Sequence, residues 1–372
     1  MDEETIRVGV IGCGGFGLFA LQQLAQVQGI ELTGMAGTHR EAAYRAAERF
    51  GIPDIQDVDA MVARDDVDLV YISTPPFLHH PQAMKALEAG KHVIVEKPFA
   101  LTLEQADEML TTAEENDLLV VADLMQRYNP LYESVQKLMD EKPLGEPLHA
   151  YFENYAADES LPPDHWFWDR EKSGGIFVEH AVHFFDMFAG WLGDGRVLSA
   201  EYTLRPGTQI EEQVQCTARY GDTVLVNMYH GFHQPNRMDR QELRIVFERG
   251  DITLYEWIPT RVHVEAIASE KDTRALCEIF PRYTIDVTDP YGGDDRHCRG
   301  RHKDLDVYQK LELSAGAGEE KWSRYGQLIR WLARDQVAWI HDRSHERVIT
   351  GRNGRDSLAL ALEADRLAHG GK

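Results

Sequence analysis

The chain is short of cysteine, of basic residues and of long apolar runs. Its four cysteines, Cys13, Cys216, Cys277 and Cys298, are scattered through 372 residues with no CxxC pair, which points to reduced thiols rather than a disulfide framework. Lys and Arg together number 39 against 62 Asp and Glu, a formal net charge of -23 at pH 7. A surface this acidic repels phosphate backbones and anionic lipid, so no nucleic acid and no membrane partner is expected. No segment reaches the roughly 20 apolar residues that a membrane span needs, and the opening MDEETIRVGVIG has no basic stretch ahead of an apolar one, so a cytoplasmic location is expected. The run DDRHCRGRH places His297, Cys298 and His302 together, but their spacing fits no zinc pattern and the arginines repel a cation, so no metal is expected.

What remains is an ordinary globular composition, 43% hydrophobic and 27% charged, long enough for two domains. One apolar stretch carries unusual polar groups. In SGGIFVEHAVHFFD, Ser173 to Asp186, a helix turning about 100° per residue sets Glu179, His183 and Asp186 on one stripe, with His180 off it. Three readings compete there: a core helix with satisfied polar groups, a metal site, or an acid/base pair.

The first third resolves into a nucleotide-binding pattern. The segment IRVGVIGCGGFGLFALQQLAQV reads as strand, glycine turn and helix, and its turn matches GxGxxG through Gly12, Gly14, Gly15, Phe16 and Gly17. The first glycine permits the tight turn, the second admits a pyrophosphate, and the third packs helix on strand. Strand-like segments IELTGMA, DLVYIST, HVIVE and LLVVADL recur with helix-like segments between them. That alternation predicts an α/β fold, a Rossmann-type doubly wound parallel sheet over residues 1-126. At the end of the second strand, where an acid would bind the ribose hydroxyls of NAD, stands Gly37, followed by Thr38, His39 and Arg40. A hydroxyl, an imidazole and a guanidinium suit an extra phosphate, so NADP(H) is expected in preference to NAD(H).

Two further motifs make the chain recognisable. Thr74-Pro75 at one strand end and Glu96-Lys97-Pro98 at the next, followed by a glycine pair, an acid and a His at Gly174 to His183, resemble the signatures of the Gfo/Idh/MocA oxidoreductases. MQRYNP at Met125 to Pro130 is similar to the family's exit from the nucleotide domain, and the stretch near 354-369 to its closing helix. The resemblance implies a C-terminal α+β domain over 127-372 with a large, mostly antiparallel open sheet, and a homodimer or homotetramer formed through it. LHAYFENYA, QVQCTARY, TVLVNMYHGF, QELRIVFE and DITLYEW alternate as its strands would, whereas the stretch from Asp289 to Gly318 shows no period.

The resemblance also implies a chemistry: hydride transfer between a CH-OH carbon of a sugar, cyclic polyol or related keto compound and a nicotinamide. It implies His183 as the acid/base group, assisted by Lys97, whose charge would lower the imidazole pKa. Glu179 stands where the family more often has Asp, and would orient His183 or bind a substrate hydroxyl. Glu96 is expected near the nicotinamide ribose, with Thr74 and Pro75 lining the same cleft. Trp166 and Trp168 of PPDHWFWDREKSGG are candidate sugar platforms or anchors of a long loop, and Asp186 a substrate contact or, more in keeping with its position, a structural partner. Two alternative functions stand beside this one: glycoside cleavage through a transient oxidation on tightly held NAD, and a non-catalytic NADP-binding regulator, which would be expected to have lost Lys97 or His183.

Overall fold

The computed structural model describes residues 5–37, 40–55, 57–158, 160–316 and 320–370. These group into two compact units. One comprises Met1–Tyr128, Pro162–Asp186 and Tyr325–Arg366; the other comprises Asn129–Leu161, Met187–Arg324 and Leu367–Lys372. The glycine-acid-histidine segment and most of the closing helix group with the nucleotide-binding strands in the first unit.

In the first unit the strands β1 (Ile6–Ile11), β2 (Ile30–Ala36), β3 (Asp54–Ile55), β4 (Leu69–Ile72), β5 (His92–Val95) and β6 (Val120–Ala122) form one parallel sheet in the order β3-β2-β1-β4-β5-β6. The order reverses beside β1, the switch point at which such sheets bind ligands outside their carboxyl ends. Val8, Val10, Leu69 to Ile72 and Val93 to Val95 are all buried. A strand covered on both faces reads as a continuous apolar run, which is how these segments appear in the sequence. Helix α1 (Gly15–Leu24) follows β1, and α2 (Arg40–Phe50) follows β2. The helix Gly351–Gly370 lies close on this sheet at its start. A Cβ at Gly351 would stand 2.6 Å from the Val120 carbonyl, and one at Gly354 would stand 2.9 Å from Ala122 Cβ.

The second unit is built on eleven strands: β7 (Pro147–Ala156), β8 (Gly195–Leu204), β9 (Glu211–Tyr220), β10 (Val224–Phe232), β11 (Arg240–Phe247), β12 (Gly250–Tyr255), β13 (Arg261–Ala268), β14 (Tyr283–Pro290), β15 (His297–Gly300), β16 (Lys303–Asp306) and β17 (Gln309–Ala315). Nine form an open sheet, β14-β17-β13-β12-β11-β7-β10-β9-β8, antiparallel throughout except where β7 meets β10. Alternate residues are buried along β7, β11 and β13, so one face makes core and the other, with Tyr151, Glu153 and Tyr155, stays half-buried. The helix Pro130–Glu141 opens this unit. Asn129 caps it by accepting the Leu131 N–H, and Pro130 fills its first turn, so the sequence NP marks the helix start. The aperiodic stretch after Asp289 holds the hairpin of β15 and β16 and then β17; His297, Cys298 and His302 lie on that largely exposed hairpin. No helix among the described residues is long and apolar enough to cross a membrane.

Candidate functional site

The GxGxxG turn has the geometry its residues demand. Gly12 has φ +115°, and a Cβ there would lie 2.6 Å from the Ser73 carbonyl oxygen; a Cβ at Gly17 would collide with the Gly12 carbonyl. By contrast, a Cβ at Gly14 or Gly15 would meet nothing within 4 Å. These two exposed glycines open onto space at the start of α1, whose N-terminus has no side-chain cap. Open backbone N–H groups at the positive end of a helix dipole suit a pyrophosphate. Phe16 packs near Phe19 and Tyr325, with ring centroids 6.1 and 5.7 Å away.

After β2, a Cβ on Gly37 would collide with Cys13 Sγ. A side chain at position 37 would therefore require Cys13 to shift. Thr38 and His39 lie outside the described residues, and Arg40 is described only as the backbone that begins α2.

The strand-end motifs are stitched together by a buried histidine. His79 places one ring nitrogen 2.7 Å from the Thr74 carbonyl and the other 2.8 Å from the Pro98 carbonyl. Burial pushes its pKa down to about 4, against the two carbonyls, which can only accept and so favour a ring with both nitrogens protonated. Thr74 donates its hydroxyl to Gln82, and Pro75 is half-buried beside it. The Lys97–Pro98 peptide bond is cis.

Gly174 and Gly175 both adopt left-handed backbone, φ +83° and +84°, which turns the chain from the short helix Arg170–Ser173 into the next one. That next segment differs from the uniform helix the sequence predicts. Phe177–Ala181 is a π-helical turn, and the α-helix begins only at Val182. The wider turn displaces Glu179 relative to His183 and Asp186, so the three do not continue one α-helical stripe.

Lys97 meets this turn directly. Its Nζ donates to Glu179 Oε1 at 2.6 Å and to the Glu179 carbonyl at 2.9 Å. Both side chains are largely buried. Glu179, expected to orient His183 or bind substrate, is here the anchor of Lys97. His183 is fully buried, and its pKa is held well below 6.5, by burial first and by the Lys97 charge second. Lys97 is thus fixed by the Glu179 carboxylate, and its charge reaches the His183 imidazole.

Asp186 takes another direction. Its two carboxylate oxygens accept from Arg127 Nε and Nη2 at 2.8 Å each, and Asn353 approaches at 3.5 Å. A buried bidentate pair of this kind holds the helix to the segment after β6. Trp166 and Trp168 form a single 3-10 turn started by His165, which accepts the Phe167 N–H; Trp168 is buried and packs edge-on to Phe167, the geometry of a loop anchor, while Trp166 is half-buried.

Glu96 is buried. It faces the hydroxyl of Tyr71, which also touches Asp123. Tyr71, Asp123, His79 and Arg127 are site residues that the sequence did not reveal individually.

The family model for an oxidoreductase family with an NAD-binding Rossmann fold, Gfo/Idh/MocA, matches residues 6–124, and the model of that family's C-terminal domain matches residues 132–253. Among curated proteins, the chain is 36% identical over 163 residues to the dTDP-3,4-didehydro-2,6-dideoxy-alpha-D-glucose 3-reductase of Actinomadura kijaniata, covering 44% of this chain and 48% of that one. It is 28% identical over 193 residues to the scyllo-inositol 2-dehydrogenase (NAD(+)) of Bacillus subtilis (strain 168), covering 51% and 55%. The chain thus spans about half the length of these curated relatives. Among solved structures, the WlbA dehydrogenase of Bordetella pertussis in complex with NADH and UDP-GlcNAcA superposes with a TM-score of 0.78 over 100% of this chain and 98% of that one, at 20% identity. With both of the family's domain models matched, and with both a parallel NAD(P)-binding Rossmann sheet and a large, mostly antiparallel sheet, the chain belongs to the Gfo/Idh/MocA oxidoreductase family.

Proposed function

We propose that the protein is an NAD(P)-dependent dehydrogenase or reductase that moves a hydride between the nicotinamide and a secondary alcohol or ketone of a sugar, a cyclic polyol or a related keto compound. The observation that carries this reading is the ammonium of Lys97, fixed by Glu179, acting on a neutral, buried His183. Curated relatives with sugar and inositol activities support the substrate class.

The residues divide the work as follows. Gly12, Gly14, Gly15, Phe16 and Gly17 would hold the dinucleotide, with the α1 N-terminus on its pyrophosphate; Thr74, Pro75 and Glu96 would line the nicotinamide end. Bound there, the cofactor supplies a carbon that accepts or returns the hydride. In the oxidative direction the substrate hydroxyl gives its proton to the neutral imidazole of His183, and the Lys97 ammonium stabilises the charge that develops on oxygen. Glu179 prevents that ammonium from turning elsewhere. NADP(H) is the preferred cofactor in this reading, supported by Gly37, where a side chain would require Cys13 to shift. Assembly as a dimer or tetramer through the half-buried face of the nine-stranded sheet belongs to the same reading.

The test is a nicotinamide-absorbance assay of the purified protein with both cofactors in both redox states against sugars, inositols and keto-sugars. Turnover with NADP(H) and one substrate group is expected. Turnover with NAD(H) alone would refute the cofactor preference, and silence with cofactor still bound would overturn the dehydrogenase reading.

A further inference from the structure

Tyr71, Glu96 and Asp123 come from three adjacent strands. Tyr71 pairs in register with Ile94, and the ladder continues past the strand ends: the Glu96 N–H donates to Ile72 O and the Asp123 N–H to Val95 O, each at 2.8 Å. Side chains alternate faces every residue, so Tyr71, Glu96 and Asp123 share one face at the carboxyl end of the sheet. All three are buried.

Their contacts fix a proton count. The Tyr71 hydroxyl oxygen lies 2.5 Å from Glu96 Oε1 and 2.7 Å from Asp123 Oδ2. A phenol has one hydrogen to donate, and an ionised carboxylate has none. With both acids ionised, one of the two contacts would press oxygen lone pairs together without a hydrogen between them, in a site stripped of water. Burial and mutual repulsion act in the same direction: both carboxyls are raised by burial, Glu96 further because Asp123 repels its charge, while Lys97 opposes both. Asp123 also gains the Met125 N–H.

We propose that Tyr71, Glu96 and Asp123 share one proton beyond the phenol's own, so that Glu96 is a neutral carboxylic acid beside a charged Asp123, and that this trio positions Lys97. A neutral Glu96 does not compete for the ammonium of the residue that follows it. Lys97 is left to Glu179, where its two hydrogen bonds are made. Toward a bound cofactor, Glu96 presents a neutral acceptor rather than an anion, because its one hydrogen is held in the Tyr71 contact. The count depends only on the trio's geometry, so it stands or falls separately from the hydride-transfer reading.

Infrared spectroscopy of the full chain at neutral pH tests it. The expected result is a carbonyl stretch of a protonated carboxylic acid that moves down in D2O, shifts again when glutamate is labelled with 13C at its side-chain carboxyl, and is lost in Glu96→Gln. Tyr71→Phe should shift the band by removing its phenol partner. The isotope label works on the unsubstituted protein, so a variant that fails to fold does not blunt the test. Absence of a label-sensitive acid band, or a band unmoved by both Glu96→Gln and Tyr71→Phe, overturns the shared proton.

Discussion

Lys97 Nζ lies 2.6 Å from Glu179 Oε1, and the same nitrogen reaches the Glu179 backbone carbonyl at 2.9 Å. The second bond matters because the carbonyl sits inside a π-helical turn, where the regular ladder is displaced. Sequence position 97 is thereby locked to position 179 by both its side chain and its main chain.

Removing one member of this pair separates stability from chemistry. Lys97→Met leaves a buried carboxylate without its counter-charge and should destabilise the fold by about 3 kcal/mol, while turnover falls by ~10² or more. Lys97→Met combined with Glu179→Gln should recover much of that stability and none of the turnover. Denaturant unfolding and initial rates on the three proteins measure both arms; a double variant that regains turnover would show that Lys97 acts only as a structural ion.

The neutral state of His183 predicts a displaced pH profile. Oxidation requires the unprotonated imidazole, and burial and Lys97 hold its pKa well below 6.5. The acid limb of kcat/KM for oxidation should therefore lie below the ordinary histidine range, with rate retained as pH falls through 6.5. In Lys97→Met the limb should move up, since one of the two depressing influences is gone. His183→Ala should lose at least ~10² in turnover with cofactor binding retained, and near wild-type turnover in it would mean that another group takes the proton.

Cofactor preference is testable at a single close contact. Because a Cβ on Gly37 would collide with Cys13 Sγ, Gly37→Asp alone should cost stability. Gly37→Asp with Cys13→Ala makes room, and the new carboxylate repels a 2′-phosphate while accepting from ribose hydroxyls. The ratio of kcat/KM for NADP over NAD should fall by roughly tenfold or more, about 1.4 kcal/mol. An unchanged ratio would place the discriminating contact elsewhere.

How much of this was legible depended on the range of the interactions. The glycine turn and the strands of the parallel sheet could be read because a doubly covered strand is an unbroken apolar run bounded by turns. The Glu179 and His183 segment stood out because charge in an apolar helix is conspicuous. The π-turn did not, since nothing in FVEHA separates a π from an α hydrogen-bond ladder. Tyr71 and Asp123 looked like strand residues; only the register of three strands brings them to Glu96 from 25 and 27 positions away along the chain. Arg127 meets Asp186 from 59 positions away, which is why a polar stripe could not reveal which of its members was already bound. The hairpin of β15 and β16 is largely exposed and charged, so it has no buried face to impose alternation.

Acid sensitivity follows from histidines that the fold keeps neutral. Burial lowers His92 to about 4 and His230 to about 3, and His92 accepts the Leu119 N–H at Nδ1, 2.9 Å away, which only an unprotonated nitrogen can do. In the unfolded chain each returns to about 6.5. Below that value the unfolded state binds protons that the folded state refuses, so the stability these groups permit is present at neutral pH. It is lost as pH falls from about 6.5 towards 4, at no more than about 1.4 kcal/mol per pH unit for each histidine. His230 packs against Phe152 with ring centroids 5.1 Å apart, so His230→Phe keeps an aromatic ring there and removes one titrating group. Urea unfolding at pH 7, 6 and 5 should show a shallower acid decline for that variant than for the wild type. Equal slopes would mean that His230 is already protonated in the folded protein at these pH values, or that it stays neutral in both states.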